Sequence, residues 1–358
     1  MHRLQKIRRG LKQEELDVLV ISGQENRRYL SGFSGSTGWL LISDNNACLA
    51  VDFRYVEQAK KEAHAFDVVH IKGDTAGWLP KLVSDFGFKR VGFETNQVPF
   101  ALYQQLCKKI SDDGYQFQLI PTAGLVEAIR AVKEPEELKF IAKAVKLADT
   151  AFNHAKSVLR PGVSEKDVAW ELEKFLREKG SETVPFDIIV ASGPNSAMPH
   201  AKPSEQVVLK NVPVVVDLGT RVCGYCSDLS RTFFLGNEDE TFCRIYDIVL
   251  GAQLTALATI VAGMNGDQAD RSARAVVEQA NYGDAFGHGL GHGVGLEAHE
   301  SPRLGPNSSD LLTDGMVFTV EPGIYVAGWG GVRIEDTVVI ENGKVKALTC
   351  ADKTANIC

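Results

Sequence analysis

The sequence predicts an α/β N-terminal domain followed by a larger domain of the α+β class. Three observations support this prediction. The chain has 358 residues, more than one domain usually contains. Short apolar runs alternate with helical patterns over roughly the first 120 residues. After them comes a long helical pattern, and then apolar strands that contain acidic residues. We predict a boundary that assigns residues 1–123 to the first domain and residues 124–358 to the second.

The composition argues against several functional classes. Hydrophobic residues make up 44% and charged residues 24% of the chain, as in ordinary globular proteins. The formal net charge of -7 gives no general attraction for nucleic acid or anionic lipid. We recognise no secretory signal and no apolar stretch of membrane-spanning length. We therefore expect a cytoplasmic protein that binds neither nucleic acid nor a membrane.

The N-terminal region alternates between two hydrophobic periodicities. Predicted strands cover residues 16–22, 39–43, 47–52, 66–71, 90–94 and 117–121, and predicted helices cover residues 54–64, 75–86 and 98–110. Such alternation is typical of nucleotide-binding sheets. However, the first strand leads into Gly-Gln-Glu-Asn at residues 23–26 and not into a glycine-rich phosphate loop. We therefore do not expect a dinucleotide site.

The second region begins with helices. Pro135 stands at the natural first position of a long helix, because proline lacks the amide hydrogen that this position does not need. Its apolar side chains recur at helical spacing, at Leu138, Ile141, Val145, Ala148 and Phe152. Further helices are predicted at residues 125–132, 164–179, 239–262 and 267–281.

The seven cysteines indicate reduced thiols, because their number is odd and they are scattered along the chain. Cys223 and Cys226 form one close pair, for which zinc binding or redox chemistry is an alternative. No second pair accompanies them, and a glycine lies between them. We interpret this segment as a turn.

Two acidic residues occur in neighbouring apolar segments. Asp217 ends the run Val-Pro-Val-Val-Val at residues 212–216, and Asp228 begins a second run eleven residues later. A hairpin with its turn around residues 222–224 would bring the two carboxylates opposite each other. Like charges in that position repel unless a cation lies between them. The alternative, that one aspartate is a turn or capping residue, explains only one of the two positions.

A second acidic pair lies near the C-terminus. Glu321 follows the apolar run at residues 317–320, and Glu335 lies inside residues 332–340. Period-two alternation puts Arg333, Glu335 and Thr337 on one face, so we expect Glu335 to point into a polar site. A salt bridge to Arg333 would be an ordinary alternative for Glu335, but it leaves Glu321 unexplained.

Between these pairs lies a segment rich in glycine and histidine, residues 286–300. Glycine occupies every second position from 287 to 295, which in an extended strand puts His288, Leu290 and His292 on one face. The bare opposite face predicts another segment packed very close to it. His299 shares that face only if a bulge or turn intervenes. The spacing matches neither a dinucleotide fingerprint nor the zincin motif.

Charge counting connects these segments. Four negative charges and one imidazole nitrogen come from Asp217, Asp228, Glu321, Glu335 and His292. Two divalent cations balance that charge, and mostly oxygen donors suit Mn, Co, Fe or Zn without choosing among them. Two such ions can generate a hydroxide at neutral pH and polarise a carbonyl group. The pattern therefore predicts a hydrolytic metal centre.

These segments resemble the pita-bread metallopeptidases, and most of all the Xaa-Pro aminopeptidases and prolidases. The resemblance rests on VDLG at 216–219, SDLSRT at 227–232, HGLGHGVG at 288–295, TVEPG at 319–323 and RIED at 333–336. It extends to NRRYLSGFSG at 26–35 and VDFRYVEQA at 51–59, which resemble the creatinase-like N-terminal domain of that family. It implies a creatinase-like domain before a pita-bread catalytic domain.

The resemblance also implies roles for individual residues. Asp217 would chelate one metal, Asp228 and Glu335 would bridge both, and His292 and Glu321 would hold the other. His200, His288 and His299 match histidines near the substrate, of which His299 would stabilise the tetrahedral intermediate or help to move protons. Arg333 matches an arginine that supports this network. The ions implied are two divalent metals, with Mn favoured over Co, Zn or Fe.

The activity implied is removal of the first residue from peptides with proline second, by attack of a metal-bridging hydroxide. Glu321 would carry a proton to the departing proline nitrogen. We favour an aminopeptidase. A dipeptidase (prolidase) is the nearest alternative, because Arg303 could bind the free carboxylate that follows proline in a dipeptide.

Other members of the family fit less well. Methionine aminopeptidase usually lacks the extra domain, and creatinase lacks the metal ligands. A non-catalytic binding protein of this fold is the alternative from another class. The family implies a homodimer.

Overall fold

A computed structural model describes residues 2–237 and 239–357. The chain divides into two compact units, Met1–Arg130 and Ala131–Cys358. The domain boundary predicted between residues 123 and 124 stays a prediction, since compactness does not define where an independently folding domain starts. Within the described ranges, no helix is both long and apolar enough to cross a membrane.

The first unit contains a six-stranded sheet and its helices. Its strands are β1 (Val18–Ile21), β2 (Trp39–Ser43), β3 (Ala47–Val51), β4 (Asp67–His70), β5 (Arg90–Glu94) and β6 (Gln118–Thr122). Its helices are α1 (His2–Gln13), α2 (Gln24–Ser31), α3 (Val56–Glu62), α4 (Thr75–Asp85) and α5 (Phe100–Asp112), after which comes α6 (Leu125–Ala131). The strand order is β4-β3-β2-β1-β5-β6, with β2 antiparallel to both neighbours and the other pairs parallel.

The predicted strands of this sheet and the helices between them are confirmed, each within two residues of its predicted ends. Helices α1 and α2 were not predicted. Helix α1 has a visible signal, because Leu4, Ile7 and Leu11 recur at helical spacing and are buried. Helix α2 has little apolar periodicity. Its buried side chains include Asn26 and Arg27, which are held by hydrogen bonds that no pattern of hydrophobicity reports.

The second unit contains four further α-helices and thirteen strands among its described residues. The helices are α7 (Pro135–Val158), α8 (Glu165–Glu178), α9 (Glu240–Thr259) and α10 (Gly266–Gln279). The strands are β7 (Ile189–Ser192), β8 (Pro213–Leu218), β9 (Arg221–Val222), β10 (Tyr225–Cys226), β11 (Leu229–Leu235), β12 (Gly291–Gly293), β13 (Glu300–Leu304), β14 (Val317–Val320), β15 (Gly323–Val326), β16 (Gly330–Arg333), β17 (Asp336–Glu341), β18 (Lys344–Ala347) and β19 (Asn356–Ile357).

Two sheets organise this unit. One has the order β19-β11-β8-β7, and helices α7 and α8 bury Phe152 and Leu172 against its Val214 and Val216. The other has the order β13-β12-β14-β17-β18, and α9 and α10 contribute to the apolar core beside it. Apolar burial on one side of each sheet leaves the polar side chains of the same strands to face the other way.

Helix α7 begins as predicted, with Pro135 at its first turn. Its start is stabilised by a reciprocal capping box between Glu134 and Glu137. The predicted apolar stripe lies against the core, since Ile141, Val145 and Ala148 are fully buried. The helix therefore begins at the residue that the sequence predicts.

The described cysteines are free thiols, and Cys358 lies outside the described residues. Cys223 is exposed and lies in a turn with a φ of 53°, whereas Cys226 is buried in β10. The described groups of residues able to hold a metal ion do not include either thiol. This agrees with the interpretation of the segment as a turn.

Candidate metal centre

The two aspartates are brought together by strands β8 and β11, but not in the predicted register. Asp217 pairs with Ser230, not with Asp228. The inner hairpin closes in a two-residue turn at Cys223 and Gly224, both with positive φ, so the axis of pairing is shifted by one residue. Asp228 is therefore the diagonal neighbour of Asp217. The prediction of direct opposition is wrong, although the two carboxylates still share one site.

Glu335 joins the aspartates from a different part of the chain. Donor atoms of Asp217, Asp228 and Glu335 all lie within 4.8 Å of one another. Glu335 accepts a hydrogen bond of 2.7 Å from the Ser230 hydroxyl. On the same side, Thr337 donates to the Asp228 carbonyl, while Ile334 on the opposite side belongs to the apolar core. The predicted alternation of polar and apolar faces around Glu335 is confirmed.

The glycine-rich segment is extended over only Gly291–Gly293, so its predicted faces are partly wrong. His288 and His292 line one cavity, but Leu290 is fully buried in the apolar core. The predicted close packing is confirmed: a Cβ atom at Gly291 would lie 2.0 Å from the Thr319 carbonyl oxygen. Only glycine allows the two backbones to approach so closely.

His292 and His299 lie side by side because the pairing of β12 with β13 shifts between His292 and Gly293. Their ring centroids are 4.0 Å apart. The sequence required a bulge or turn between these residues for His299 to share the face of His292, and the register shift provides it. The Nε2 atom of His292 lies 3.2 Å from Glu321 Oε1 and 3.6 Å from Asp228 Oδ2. Donor atoms of Asp228, His292 and His299 form a second group within 4.8 Å.

These two groups differ in one respect from the ligand set implied by the family resemblance. The second group contains His299, whereas Glu321 belongs to neither group among the described residues. Glu321 instead contacts His292 and accepts a hydrogen bond of 2.9 Å from Thr319. It is therefore close to the centre, although its carboxylate is not within the tight cluster.

The negatively charged side chains of the centre repel one another strongly. Burial, reinforced by the neighbouring carboxylates, raises the pKa of Asp228 and of Glu335 well above their ordinary values. Burial also raises the pKa of Asp217, against the effect of Arg333. One oxygen each of Asp217 and Asp228 is buried and has no hydrogen-bond partner within the described residues. Unpaired buried carboxylate oxygens that converge are the donors that divalent cations require, so these residues fit a metal site.

Three groups around this cluster have lowered pKa values. Burial works against ionisation of Glu321, but the hydrogen bond and charge of His292 hold its pKa at about 2. Burial, followed by the charge of His292, lowers the pKa of His299 to about 4. Burial also lowers the pKa of His288. At neutral pH, Glu321 is therefore ionised, and the imidazoles of His288 and His299 are uncharged.

Arg333 connects the acidic cluster to the wall of the cavity. Its Nη2 atom lies 2.6 Å from Asp217 Oδ2, and its other nitrogens donate to Ser230, Tyr325 and the Pro199 carbonyl. The alternative salt bridge from Arg333 to Glu335 is therefore replaced by one to Asp217. The Tyr325 hydroxyl also lies 3.0 Å from His288 Nε2.

The cavity above these residues has a volume of about 480 Å³. All nine predicted site residues line it: His200, Asp217, Asp228, His288, His292, His299, Glu321, Arg333 and Glu335. Arg303 contributes from β13, and the lining also includes the apolar residues Phe186, Ile189 and Ala201. The arrangement offers a charged floor and partly apolar walls, with a volume in the range of small-ligand sites.

Sequence analysis missed several residues that support this centre. Ser230 and Thr319 each hydrogen-bond to an acidic side chain. Each lies two positions from a predicted acidic ligand, so the period-two argument that placed Thr337 on the face of Glu335 could have found them. Tyr325 had no comparable signal, because it reaches Arg333 and His288 only through the tertiary fold.

Comparison with known proteins agrees with this geometry. The profile of metallopeptidase family M24 matches residues 139–342, and that of the creatinase/prolidase N-terminal domain matches residues 3–132. The chain is 34% identical to an Xaa-Pro dipeptidase of Pyrococcus horikoshii, over 98% of this chain and 97% of that protein.

Solved structures agree as well. An Xaa-Pro dipeptidase from Bacillus anthracis superposes with a TM-score of 0.95 at 39% identity, covering 99% of each chain. An X-Pro aminopeptidase from Thermotoga maritima superposes with a TM-score of 0.86 at 36% identity, covering 97% of this chain and 99% of that one. The chain therefore belongs to metallopeptidase family M24, with a creatinase-type N-terminal domain followed by a pita-bread peptidase domain.

Proposed function

We propose that the chain is an Xaa-Pro dipeptidase that requires two divalent metal ions. The observation that carries this proposal is Arg303, which lines the same cavity as the acidic cluster. Its backbone pairs with that of His292 across β12 and β13, and its guanidinium, which donates to the Pro306 carbonyl at 3.1 Å, belongs to the cavity wall. A guanidinium there suits the free carboxylate that directly follows the proline of a dipeptide.

The sequence alone favoured an aminopeptidase, and this preference is reversed here. The Pyrococcus and Bacillus relatives named above are Xaa-Pro dipeptidases. The Thermotoga relative is an X-Pro aminopeptidase, which keeps that activity as the second candidate.

The ions would be held by Asp217, Asp228, His292, Glu321 and Glu335, with Asp228 and Glu335 shared between the two. His299 is a further nitrogen donor near Asp228. When bound, the cations would activate a water molecule as nucleophile and polarise the scissile carbonyl group. The donor set alone does not choose among Mn, Co, Zn and Fe, and Mn is favoured here because the family resemblance implies it.

The chain's own residues would handle the protons. Glu321 would accept the proton of the attacking water and deliver it to the proline nitrogen. The uncharged His299 can donate a hydrogen bond to the developing oxyanion. His200 and His288 would contact the substrate from the cavity wall, and Arg333 would hold the Asp217 carboxylate in place through its 2.6 Å contact.

Three substrates distinguish the two activities: Leu-Pro, its C-terminal amide, and Leu-Pro-Leu, with Leu-Leu as the non-proline control. For a dipeptidase, we expect Leu-Pro to be cleaved at least about tenfold faster than the amide, because a charged hydrogen bond is worth about 1.5 to 3 kcal/mol. Equal or faster cleavage of Leu-Pro-Leu would instead support the aminopeptidase. Cleavage of none of them by Mn-loaded or Co-loaded chain would support the non-catalytic alternative.

The metal requirement is tested separately with Asp228→Asn. This change removes one charge from the shared ligand while preserving its shape. We expect the variant to lose Mn retention by elemental analysis after gel filtration, and to lose turnover. A variant that retains the metal and the wild-type rate would remove Asp228 from the centre.

We also propose a homodimer, which the family resemblance implies. A partner's N-terminal domain could then limit substrate length at the mouth of the cavity. Size-exclusion chromatography with light scattering tests this, and a monomer at assay concentrations would contradict it. The cytoplasmic location expected from the sequence stays a prediction.

A further inference from the structure

A buried ion network lies immediately behind the acidic cluster. Asp336 follows Glu335, and its side chain points the opposite way because β17 begins there. It is 1% exposed and accepts four side-chain hydrogen bonds. Arg231 and Thr349 donate to one oxygen at 2.8 Å each, and Gln253 and Lys353 donate to the other at 2.7 Å each. A buried carboxylate with so many donors is held in one position.

Arg231 links this carboxylate to the backbone of the metal centre. The residue is 2% exposed, and its Nη1 atom donates to the carbonyl oxygens of both Ser230 and Glu335. The side chains of these two residues meet on the other face, where Ser230 donates to Glu335. The guanidinium therefore bonds to β11 and to the residue just before β17, at the point where the Glu335 carboxylate enters the site.

Further members of the network come from the segment after β18, residues 348–355. Arg231 donates to the carbonyl oxygens of Ala351 and Asp352, and Lys353 reaches Asp336. Asp149 of α7 fixes this segment by accepting from the amides at residues 350 and 351. The segment near the C-terminus is thus bonded to the back of the centre by several independent contacts.

The charges of the network complement those of the centre. Burial disfavours the ionised form of Asp336, but Arg231 and Lys353 overcome it and lower the pKa of this carboxyl. Arg231, Asp336 and Lys353 together carry one net positive charge. They lie immediately behind the acidic cluster, and Arg231 holds the backbone of Glu335 through its hydrogen bonds to the Ser230 and Glu335 carbonyl oxygens.

We propose that Arg231, Asp336 and Lys353 are positioning residues that hold Glu335 in its metal-binding orientation, and that the segment 348–355 is thereby part of the metal centre. This inference rests on the proposed role of Glu335 as a ligand. It extends that role, because residues that touch neither metal nor substrate determine how well the site binds its ions.

Lys353→Met tests the inference with little risk to folding, because the lysine side chain is 25% exposed and methionine preserves much of its length. The matched control is Lys156→Met. Lys156 pairs with Asp352 of the same segment at 3.3 Å but does not touch Asp336. Lys353→Arg, which keeps the charge, is the rescue variant.

The readouts are a Co²⁺ titration of the metal-free protein, followed by visible absorption, and thermal unfolding of the same metal-free protein. For Lys353→Met we expect Co²⁺ affinity to fall about tenfold or more with a changed spectrum, since such supporting contacts are typically worth 10 to 100-fold in affinity. Lys156→Met should stay within about twofold of wild type, and Lys353→Arg should recover most of the loss.

Each outcome has a separate meaning. If Lys353→Met lowers the melting temperature but leaves Co²⁺ affinity and spectrum unchanged, the network is structural only and the inference is overturned. The same holds if Lys156→Met weakens Co²⁺ binding as much as Lys353→Met does. If the wild-type protein itself binds no Co²⁺, the proposed metal site fails first, which is distinct from a failure of the positioning role.

Discussion

The guanidinium of Arg333 lies 2.6 Å from the carboxylate of Asp217, inside a cavity wall that buries both side chains. The same guanidinium donates to the Tyr325 hydroxyl at 2.9 Å and to the Ser230 hydroxyl at 2.9 Å. The planar guanidinium therefore orients the predicted ligand Asp217. It also orients Ser230, which donates to the predicted ligand Glu335. A charge alone, without the fork of five donors, does not provide this geometry.

We predict that Arg333→Lys preserves the charge but loses most of the activity. Lysine cannot satisfy Asp217, Ser230 and Tyr325 together, so kcat/KM on an Xaa-Pro dipeptide should fall by about 10 to 100-fold, the equivalent of one charged hydrogen bond. Arg177→Lys, on the exposed face of α8, is the control and should be unchanged. Wild-type kinetics in Arg333→Lys would show that charge alone is sufficient.

Arg303→Gln should discriminate between substrates. We expect KM for Leu-Pro to rise by about 10 to 100-fold, because the free carboxylate loses its cationic partner. The amide of the same dipeptide has no carboxylate, so its hydrolysis should change little. Arg271→Gln, a similar change at an exposed position of α10, serves as the control. Equal losses on both substrates would argue against carboxylate recognition by Arg303.

Gly291→Ala should damage the centre through the backbone. The added Cβ would lie 2.0 Å from the Thr319 carbonyl oxygen, so β12 and β14 must separate. We expect a loss of unfolding free energy of at least about 2 kcal/mol, measured by urea denaturation, as for other overpacked sites. At Gly287 a Cβ meets nothing within 4 Å, so Gly287→Ala should be nearly neutral. Similar effects at both positions would contradict this steric account.

The pH dependence of stability should include a contribution from Cys48. Burial raises the pKa of this thiol from its ordinary value of 9.0 to about 11. The unfolded chain therefore releases this proton at lower pH than the folded chain, so stability falls as pH rises between about 9 and 11. Compared with Cys48→Ala, the wild type should lose an extra 1 to 3 kcal/mol, roughly, across this window. Parallel pH profiles of the two proteins would refute this contribution.

Reactivity provides a second measurement on the same thiol. Cys48 is 4% exposed, whereas Cys223, Cys243 and Cys350 are exposed. Because the thiolate is the reactive form, iodoacetamide at pH 8 should label the exposed thiols and leave Cys48 unmodified in the native protein. Labelling of Cys48 at the same rate as the others would show that its strand opens readily.

The sequence was informative wherever one physical effect dominated. Apolar periodicity predicted β1 to β6 and α3 to α5 because burial of one face decides where such segments form. The acidic cluster could be predicted because carboxylates inside apolar strands require compensation, whatever the details of the fold. The same reasoning found Asp217, Asp228 and Glu335, which now lie within 4.8 Å of one another.

Other features depended on contacts between distant segments, and only the tertiary structure determined them. The pairing of Asp217 with Ser230 depends on a turn whose geometry shifts the register by one residue. Leu290 enters the core, although strand periodicity places it with His288. Tyr325 and Asp336 acquire their roles from partners that are distant in sequence. Local patterns report how each segment distributes its polar and apolar side chains, but the partner of each polar group is chosen by the packing of the whole chain.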